Sequence, residues 1–363
     1  MRNENEVDVV VVGGGVIGCA IAAALAPRHS VCLLEQDPKL GLRTSSRNSG
    51  VIHSGLYYRP GSLKARTCVE GNARLYEWCA RHGVPFRKTQ KLVLARTDEE
   101  LPHLERLHDN AKANGAAGVA LIDRNGIASI EPHVDGVAAL LCRETGIVDA
   151  VALSRSLAAA ASRAGAHVVT HARVLGVEAK GGVVVVDTTQ GPISASHVVN
   201  AAGFDAPAIA ALFGVHAFQH HACRGDYFRL RTRAAYRALV YPVRVPGDPG
   251  LGIHLTLDLD GRARLGPDAR YVDDAADVAP ADHLRERFAA AASRLLGPVV
   301  ADDLVHDGCG IRPKLAGPGE VDRDFVLHEE PAGVLHLMGI ESPGLTSALA
   351  LADEVARRLG QAR

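Results

Sequence analysis

The residues of this chain with the clearest chemical meaning are three glycines and an acid near its start: Gly13, Gly15, Gly18 and Glu35. Gly13 permits a tight turn, Gly15 lets the backbone approach a pyrophosphate, and Gly18 lets a following helix lie close to a sheet. Glu35 is placed to accept hydrogen bonds from adenosine ribose hydroxyls. The spacing therefore predicts a dinucleotide site, of the nicotinamide or the flavin kind.

A strand, a helix and a second strand must hold these residues. The apolar run Val9–Val12 predicts the first strand, the small residues Cys19–Ala26 the helix, and Val31–Leu34 the second strand. The N-terminus of that helix offers N–H groups and partial positive charge to a phosphate. The stretch from Val9 to Ala26 carries no charge and so resembles a secretory signal. However, three acids follow Arg2 and a glycine triplet interrupts the apolar run, so we expect this stretch to stay in the folded chain.

Later segments return to the same sheet. Ser196–Gly203 predicts a buried strand with a glycine turn, and Leu335–Ile340 predicts another, followed by a helix at Leu345–Leu359. Between them, residues 211–304 contain several strand-like stretches. An amphipathic helix is predicted at Leu63–Arg81.

Composition limits the classes of partner. The chain has 363 residues, 47% of them hydrophobic, and 40 basic against 41 acidic residues give a net charge of −1. This balance argues against a nucleic acid or an anionic membrane as partner. No apolar run has the length of a transmembrane helix. The seven cysteines include no C-x-x-C pair, which indicates a reducing compartment and no metal site.

Four separated segments resemble the D-amino-acid-oxidase-like superfamily of FAD oxidoreductases: Gly13–Glu35, Arg43–Gly50, Val198–Gly203 and Gly339–Gly344. The resemblance implies FAD, because a nicotinamide enzyme would not return twice to the same sheet. The sequence has no convincing motif for covalent attachment, so we expect non-covalent FAD; His53 would be the attachment residue if the flavin were bonded through histidine, as it is in some relatives. The cofactor residues implied are Gly13, Gly15, Val16, Ile17, Gly18, Glu35, Gln36, Thr44, Ser45, Ser46, Arg47, Asn48, Ser49, Gly50, Val174, Ala201, Gly203, Arg312, Ser342, Pro343, Gly344, Leu345 and Thr346.

The fold expected from this resemblance is α/β, with an α+β substrate part. A Rossmann-like FAD-binding domain, discontinuous in sequence, would comprise residues 1–85, 145–210 and 305–363. A substrate domain with an antiparallel sheet would comprise residues 86–144 and 211–304.

Within the superfamily, the chain is most similar to the L-2-hydroxyglutarate dehydrogenases and oxidases, through Ser46–Tyr58, Pro60–Lys64, Arg224–Tyr227, Gly310–Lys314 and Ile340–Thr346. The similarity implies oxidation of an L-2-hydroxy acid by hydride transfer to flavin N5. It further implies a quinone or oxygen as electron acceptor. We expect a cytoplasmic protein, or one attached peripherally at the inner face of a membrane.

This reaction needs a base for the hydroxyl proton and a cation for the carboxylate. His53 is the first candidate for the base and His254, in the predicted strand Gly252–Thr256, is the second. Arg312 lies where amino-acid oxidases of the superfamily hold a carboxylate. Lys314 is the nearest candidate for the second cation that a diacid requires, with Arg224 and Lys64 behind it. Tyr241 and Tyr227 are candidates for the pocket wall.

Other functions stay open at this point. An amino-acid or glycine oxidase would need no side-chain base, because the substrate amine loses its proton before hydride transfer. A glycerol-3-phosphate dehydrogenase would need more arginine near the pocket. A flavin-binding protein without turnover is the non-enzymatic alternative.

Overall fold

The computed structural model describes residues 6–232, 234–244 and 252–361. Its helices are α1 Val16–Leu25, α2 Leu63–His82, α3 Leu101–Ala113, α4 Arg124–Ile130, α5 Ala150–Arg163, α6 Ala206–Leu212, α7 Arg285–Leu296 and α8 Gly344–Gln361. Its strands are β1 Glu6–Val12, β2 Val31–Leu34, β3 Val51–Ile52, β4 Phe86–Lys88, β5 Lys91–Ala95, β6 Val119–Asp123, β7 Ala138–Cys142, β8 Gly146–Val148, β9 His167–Val169, β10 Val174–Lys180, β11 Val183–Thr188, β12 Ile193–Asn200, β13 His221–Leu230, β14 Leu239–Pro242, β15 Leu255–Leu257, β16 Ala263–Leu265, β17 Arg270–Tyr271, β18 Leu304–Lys314, β19 Val326–Glu329 and β20 Val334–Met338.

The first sheet has the order β10-β11-β12-β1-β2-β9, with β20 beside β12 and β19 beside β20. β1 pairs in parallel with both β2 and β12, and β12 pairs in parallel with β20. Val9, Val10 and Val11 are fully buried, as a strand covered on both faces requires. The chain thus returns to the sheet of β1 from late segments, as the sequence predicts.

Helices cover this sheet and their ends are set by capping residues. α1 packs against α5 and α8, and α2 packs against α8. The hydroxyl of Ser62 accepts a hydrogen bond from the backbone N–H of Ala65 at the start of α2, and Gly83, at φ 66°, ends that helix. Asp149 caps α5 in the same way. α1 begins at Val16, three residues before the predicted start.

The second sheet has nine strands in the order β17-β13-β16-β15-β14-β5-β7-β6, with β18 beside β13. Its pairs are antiparallel except for β5 and β14. The fold is therefore α/β with a largely antiparallel second sheet, in agreement with the predicted class. However, β18 pairs with β13 from His221 to Leu230, so a domain boundary at residue 305 would separate two paired strands.

A third, small sheet has the order β3-β8-β4, and β3 leads directly into His53. All seven cysteines are free and buried. Among the helices of the described residues, none is long and apolar enough to cross a membrane.

Candidate active site

A cavity of about 1250 Å³ extends from the starts of α1 and α8 to strands β13, β14 and β18. Pockets for single small ligands are usually about 300–1,000 Å³. This cavity therefore has room for an extended ligand together with a small substrate.

The glycine turn at the end of β1 has the geometry that the sequence predicts. Gly13 has φ +107°, and a Cβ on it would lie 2.5 Å from the carbonyl oxygen of Ala201. A Cβ on Gly18 would lie 1.8 Å from the carbonyl oxygen of Gly13, so α1 can approach the strand only with glycine at that position. Gly15 precedes α1 and lines the cavity, which brings the positive end of the helix to the cavity wall.

The Glu35 carboxylate organises this turn. One oxygen accepts a hydrogen bond from the N–H of Gly14 at 2.7 Å, and the other accepts one from the N–H of Asp37 at 2.8 Å. Burial raises the pKa of Glu35, and these two N–H bonds oppose that rise. The sequence did not single out Gly14, yet a Cβ there would lie 2.5 Å from a methyl carbon of Leu40. Contact of Glu35 with a ribose stays a prediction.

The segment from Thr44 to Ser49 forms one wall. The Ser45 hydroxyl accepts a hydrogen bond at 2.9 Å from the N–H of Val16 and so joins this wall to α1. On the other side, Gly310 of β18 lies so close to the wall that a Cβ would be 1.9 Å from the carbonyl oxygen of Arg47. Ser46 differs from its neighbours, because its hydroxyl donates to the carbonyl of Leu42 within the turn and the residue does not line the cavity.

The cavity brings together most of the predicted cofactor residues. Those that line it are Gly15, Val16, Ile17, Thr44, Ser45, Arg47, Asn48, Ser49, Ala201, Gly203, Arg312, Ser342, Pro343, Gly344 and Leu345. The remaining ones lie behind its wall or outside it: Gly13, Gly18, Glu35, Gln36, Ser46, Gly50, Val174 and Thr346. Gln36 bonds Asp205 instead, at 3.0 Å.

His53 is held at the cavity by its backbone. Its N–H donates to the Thr346 hydroxyl at 2.9 Å, and its carbonyl accepts from the Asn72 amide at 2.9 Å. Nδ1 of the ring is buried without a hydrogen-bond partner, and Nε2 lies 3.4 Å from the Ser342 hydroxyl. Burial, with smaller effects from Lys91 and His254, lowers the pKa of His53 to about 3. The ring is thus neutral at physiological pH, and one of its two nitrogens carries no proton.

His254 also lines the cavity, but it is not in a strand. The predicted strand Gly252–Thr256 was wrong in its first residues: β15 begins only at Leu255. The reason is a local turn, in which Nδ1 of His254 donates to the carbonyl of Gly252 at 2.8 Å. Nε2 is therefore the proton-free nitrogen. The ring stacks on Tyr241 with centres 3.7 Å apart, and burial lowers the pKa of His254 to about 3.

Arg312 reaches the cavity from β18 without an acidic partner. It forms no ion pair in the described part of the chain. Its Nη2 donates to the backbone carbonyl of Asp268 at 3.0 Å, and its Nη1 lies 3.7 Å from the sulfur of Cys223. The guanidinium has five N–H donors, so a pair remains for a carboxylate.

Lys314 lies in the cavity wall, but its charge is already neutralised. Its ammonium lies 2.6 Å from a carboxylate oxygen of Asp322 and 3.3 Å from one of Glu341. Burial lowers the pKa of Lys314, and the two carboxylates outweigh that effect and raise it. Lys64 shares Glu341 at 3.0 Å. Neither lysine offers an uncompensated charge to a substrate, which the sequence could not reveal.

A family model described as "FAD dependent oxidoreductase" matches residues 8–358. The chain belongs to the FAD dependent oxidoreductase family. This oxidoreductase is similar to two mitochondrial L-2-hydroxyglutarate dehydrogenases. The one from Arabidopsis thaliana is 33% identical over 98% of this chain and 84% of that protein. The one from Pongo abelii is 35% identical over 97% of this chain and 88% of that protein. The L-2-hydroxyglutarate dehydrogenase of the bacterium Indibacter alkaliphilus is 28% identical over 96% and 97%.

Solved structures are similar over nearly the whole oxidoreductase. An FAD-bound L-alpha-glycerophosphate oxidase from Mycoplasma pneumoniae has a TM-score of 0.88 at 28% identity, covering 99% of this chain and 95% of that one. Glycine oxidase from Geobacillus kaustophilus has a TM-score of 0.83 at 22% identity, covering 98% and 95%, and shows a shared fold.

The residues of this oxidoreductase fit FAD. Two helix N-termini, those of α1 and α8, meet at the cavity, where Gly15 presents backbone to a pyrophosphate, and Cβ atoms on Gly13 and Gly18 would meet the backbone behind it. Basic side chains outnumber acidic ones in the lining, although the whole chain is almost neutral. The basic residues are Arg47, Arg59, Lys64, Arg96, Arg244, Arg287, Arg294, Arg312, Lys314 and Arg323, against Glu100, Asp268, Asp322, Asp324 and Glu341.

Two residues at or behind the cavity wall were not predicted from the sequence. Tyr57 lines the cavity, and its buried hydroxyl has no hydrogen-bond partner among the described residues. Lys91 is fully buried behind the wall, and its ammonium likewise lacks a partner. A lysine at the start of an apolar run ordinarily marks a strand end in water, so the sequence carried no signal for its burial.

Proposed function

We propose that this oxidoreductase converts L-2-hydroxyglutarate, or a close L-2-hydroxy acid, to the 2-oxo acid with FAD. The observation that carries the proposal is the pairing of an unneutralised Arg312 with the neutral rings of His53 and His254 in one cavity. The names of the similar proteins in plants, mammals and bacteria support the choice of substrate.

In the proposed reaction, Arg312 binds the carboxylate next to the reacting carbon through two parallel hydrogen bonds. His53 takes the hydroxyl proton as the C–H electron pair leaves the same carbon as hydride, so that the C–O bond becomes C=O. Bound FAD supplies the acceptor for that hydride. The Thr346 and Asn72 contacts fix the backbone from which the His53 ring projects, which lowers the cost of orienting the base.

His53 is the better base of the two histidines. Its Nε2 lies beside the Ser342 hydroxyl, just before α8 where the cofactor residues meet, whereas the ring of His254 is stacked on Tyr241 and held by Gly252. His254 and Tyr241 together form a rigid wall, which suits substrate orientation.

The remaining features of the proposal concern the cofactor and its re-oxidation. FAD is held non-covalently, so acid precipitation should leave the flavin in solution. The electron acceptor is a quinone or oxygen, and oxygen consumption with and without a soluble quinone distinguishes the two. The seven free cysteines support a cytoplasmic location, which cell fractionation tests.

Glycerol 3-phosphate is the second candidate substrate. Arginines line the cavity in the number that a phosphate would favour, and the glycerophosphate oxidase structure is similar over almost the full chain. Arg312, however, is half-buried and close enough to His254 to lower its pKa, while Arg244 and Arg323 are exposed. The geometry thus favours a carboxylate at the reacting centre.

The test is product analysis on the purified holoenzyme with L-2-hydroxyglutarate, glycerol 3-phosphate and glycine. We expect L-2-hydroxyglutarate to be converted to 2-oxoglutarate. Its kcat/KM should be at least about tenfold above the values for glycerol 3-phosphate and glycine, a difference of about 1.4 kcal/mol in transition-state binding. Faster turnover of glycerol 3-phosphate would overturn the proposal in favour of the second candidate.

A further inference from the structure

A lysine behind the cavity wall has no acidic partner in the described part of the chain. Lys91 opens β5, and its side chain is fully buried. Its ammonium lies 5.0 Å from the ring centre of Tyr57 and 4.8 Å from that of Tyr241. Both tyrosines line the cavity. Their rings hold the ammonium by cation–π attraction, which offsets part of the cost of burying it.

The other groups that face Lys91 carry no negative charge at neutral pH. On the neighbouring strand β7 the residue opposite is Cys142, and the thiol of Cys68 faces the ammonium from α2. The rings of His53 and His254 face it from the cavity side. Burial raises the pKa of Cys68 to about 12 and that of Cys142 to about 11, so both thiols stay protonated. When Lys91 is protonated, its counter-charge must therefore come from outside this group.

We propose that Lys91 is the specificity-determining cation that selects a dicarboxylate: it attracts the second carboxylate through the wall of Tyr57 and Tyr241, while Arg312 holds the first. The inference rests on the proposed function. Lys91 replaces Lys314 as the expected partner of the second carboxylate, because Lys314 is already paired with Asp322 and Glu341. Burial lowers the pKa of His254, and the nearby side chains of Lys91 and Arg312 lower it further. Lys91 and Arg312, neither of which has an acidic partner among the described residues, therefore both lie near the same part of the cavity.

The size of the effect follows from Coulomb's law. A unit charge several ångströms from a carboxylate, at an effective dielectric constant of about 20, changes affinity on the order of tenfold or more. The attraction needs no direct hydrogen bond. It should act on a ligand with two carboxylates far more than on one with a single carboxylate.

The experiment compares two ligands that cannot be oxidised, glutarate and pentanoate, which share a five-carbon chain and differ in one carboxylate. Their dissociation constants are measured from the flavin difference spectrum of the holoenzyme. In Lys91→Met we expect glutarate to weaken at least about tenfold more than pentanoate. Lys88→Met, at an exposed pair with Glu144, should weaken neither ligand. Equal loss of both ligands in Lys91→Met would overturn the inference.

A second measurement needs no variant and guards against failure of Lys91→Met to fold. Burial lowers the pKa of Lys91, so its charge disappears before that of an ordinary lysine as pH rises. The preference of the wild-type holoenzyme for glutarate over pentanoate should then fall before the pH at which an ordinary lysine loses its proton, and a preference unchanged up to that pH would contradict the role of Lys91. Failure of the wild type to oxidise L-2-hydroxyglutarate would instead contradict the proposed function, since glutarate binding is measured without turnover.

Discussion

Replacing Arg312 by methionine removes the proposed carboxylate fork while keeping an unbranched side chain of similar length. The guanidinium donates hydrogen bonds to the carbonyl of Asp268 and the sulfur of Cys223, which leaves two of its N–H groups for the substrate carboxylate. Each charge-assisted hydrogen bond contributes about 1.5–3 kcal/mol. Losing two costs about 3–6 kcal/mol, or roughly a hundredfold to ten-thousandfold in kcat/KM. Arg312→Lys keeps a charge without the fork and should recover about half of that free energy.

The assay is steady-state reduction of a dye by L-2-hydroxyglutarate, with the flavin content of each variant measured alongside. Arg229→Met is the matched control, because Arg229 is 49% exposed, pairs with Asp307 and lies on the same sheet away from the cavity. The control should match the wild type. A kcat/KM for Arg312→Met within threefold of the wild-type value would refute the carboxylate assignment.

Three further outcomes are expected. His53→Gln should lower kcat about 10²–10⁴-fold with flavin content and glutarate affinity kept, and full turnover in this variant would exclude His53 as the base. The pKa values of His53 and His254 are lowered to about 3 from an unfolded value of 6.5, so the unfolded state binds protons first as pH falls. Urea denaturation at pH 5.5 should therefore show about 1.4 kcal/mol less stability per histidine than at pH 7.5, and equal stability at both values would contradict their neutral burial. Gly18→Ala should give protein depleted of flavin, because the new Cβ meets the carbonyl oxygen of Gly13, whereas Gly360→Ala, with open space around it, should retain full flavin.

The nucleotide turn was predictable because its determinants are local. An apolar strand, glycines at fixed spacing and a small-residue helix leave few alternatives, and Gly13 and Gly18 occupy positions where a Cβ would meet backbone. The return of β12 and β20 to the same sheet was predictable for a similar reason, since each is a short apolar run that ends in a turn.

The charges of the pocket were not predictable, because they depend on partners from distant segments. Lys314 had the right spacing from Arg312, but Asp322 and Glu341 fold back to neutralise it. Lys91 was missed because it is buried without an acidic partner among the described residues. The rings of Tyr57 and Tyr241 hold its ammonium, and both come from distant parts of the chain. His254 was predicted to lie in a strand, but a hydrogen bond from its own ring to the carbonyl of Gly252 forms a turn, and the strand begins only at Leu255.

Anaerobic reduction of the bound flavin by the two enantiomers of 2-hydroxyglutarate tests the central claim most directly. The purified holoenzyme is mixed with each enantiomer without oxygen, and the loss of visible flavin absorbance is followed. We expect the L enantiomer to bleach the flavin within the turnover time and to yield one 2-oxoglutarate per flavin, while the D enantiomer does not. Flavin that stays oxidised with the L enantiomer, in protein that glycerol 3-phosphate or an amino acid does reduce, would contradict the account.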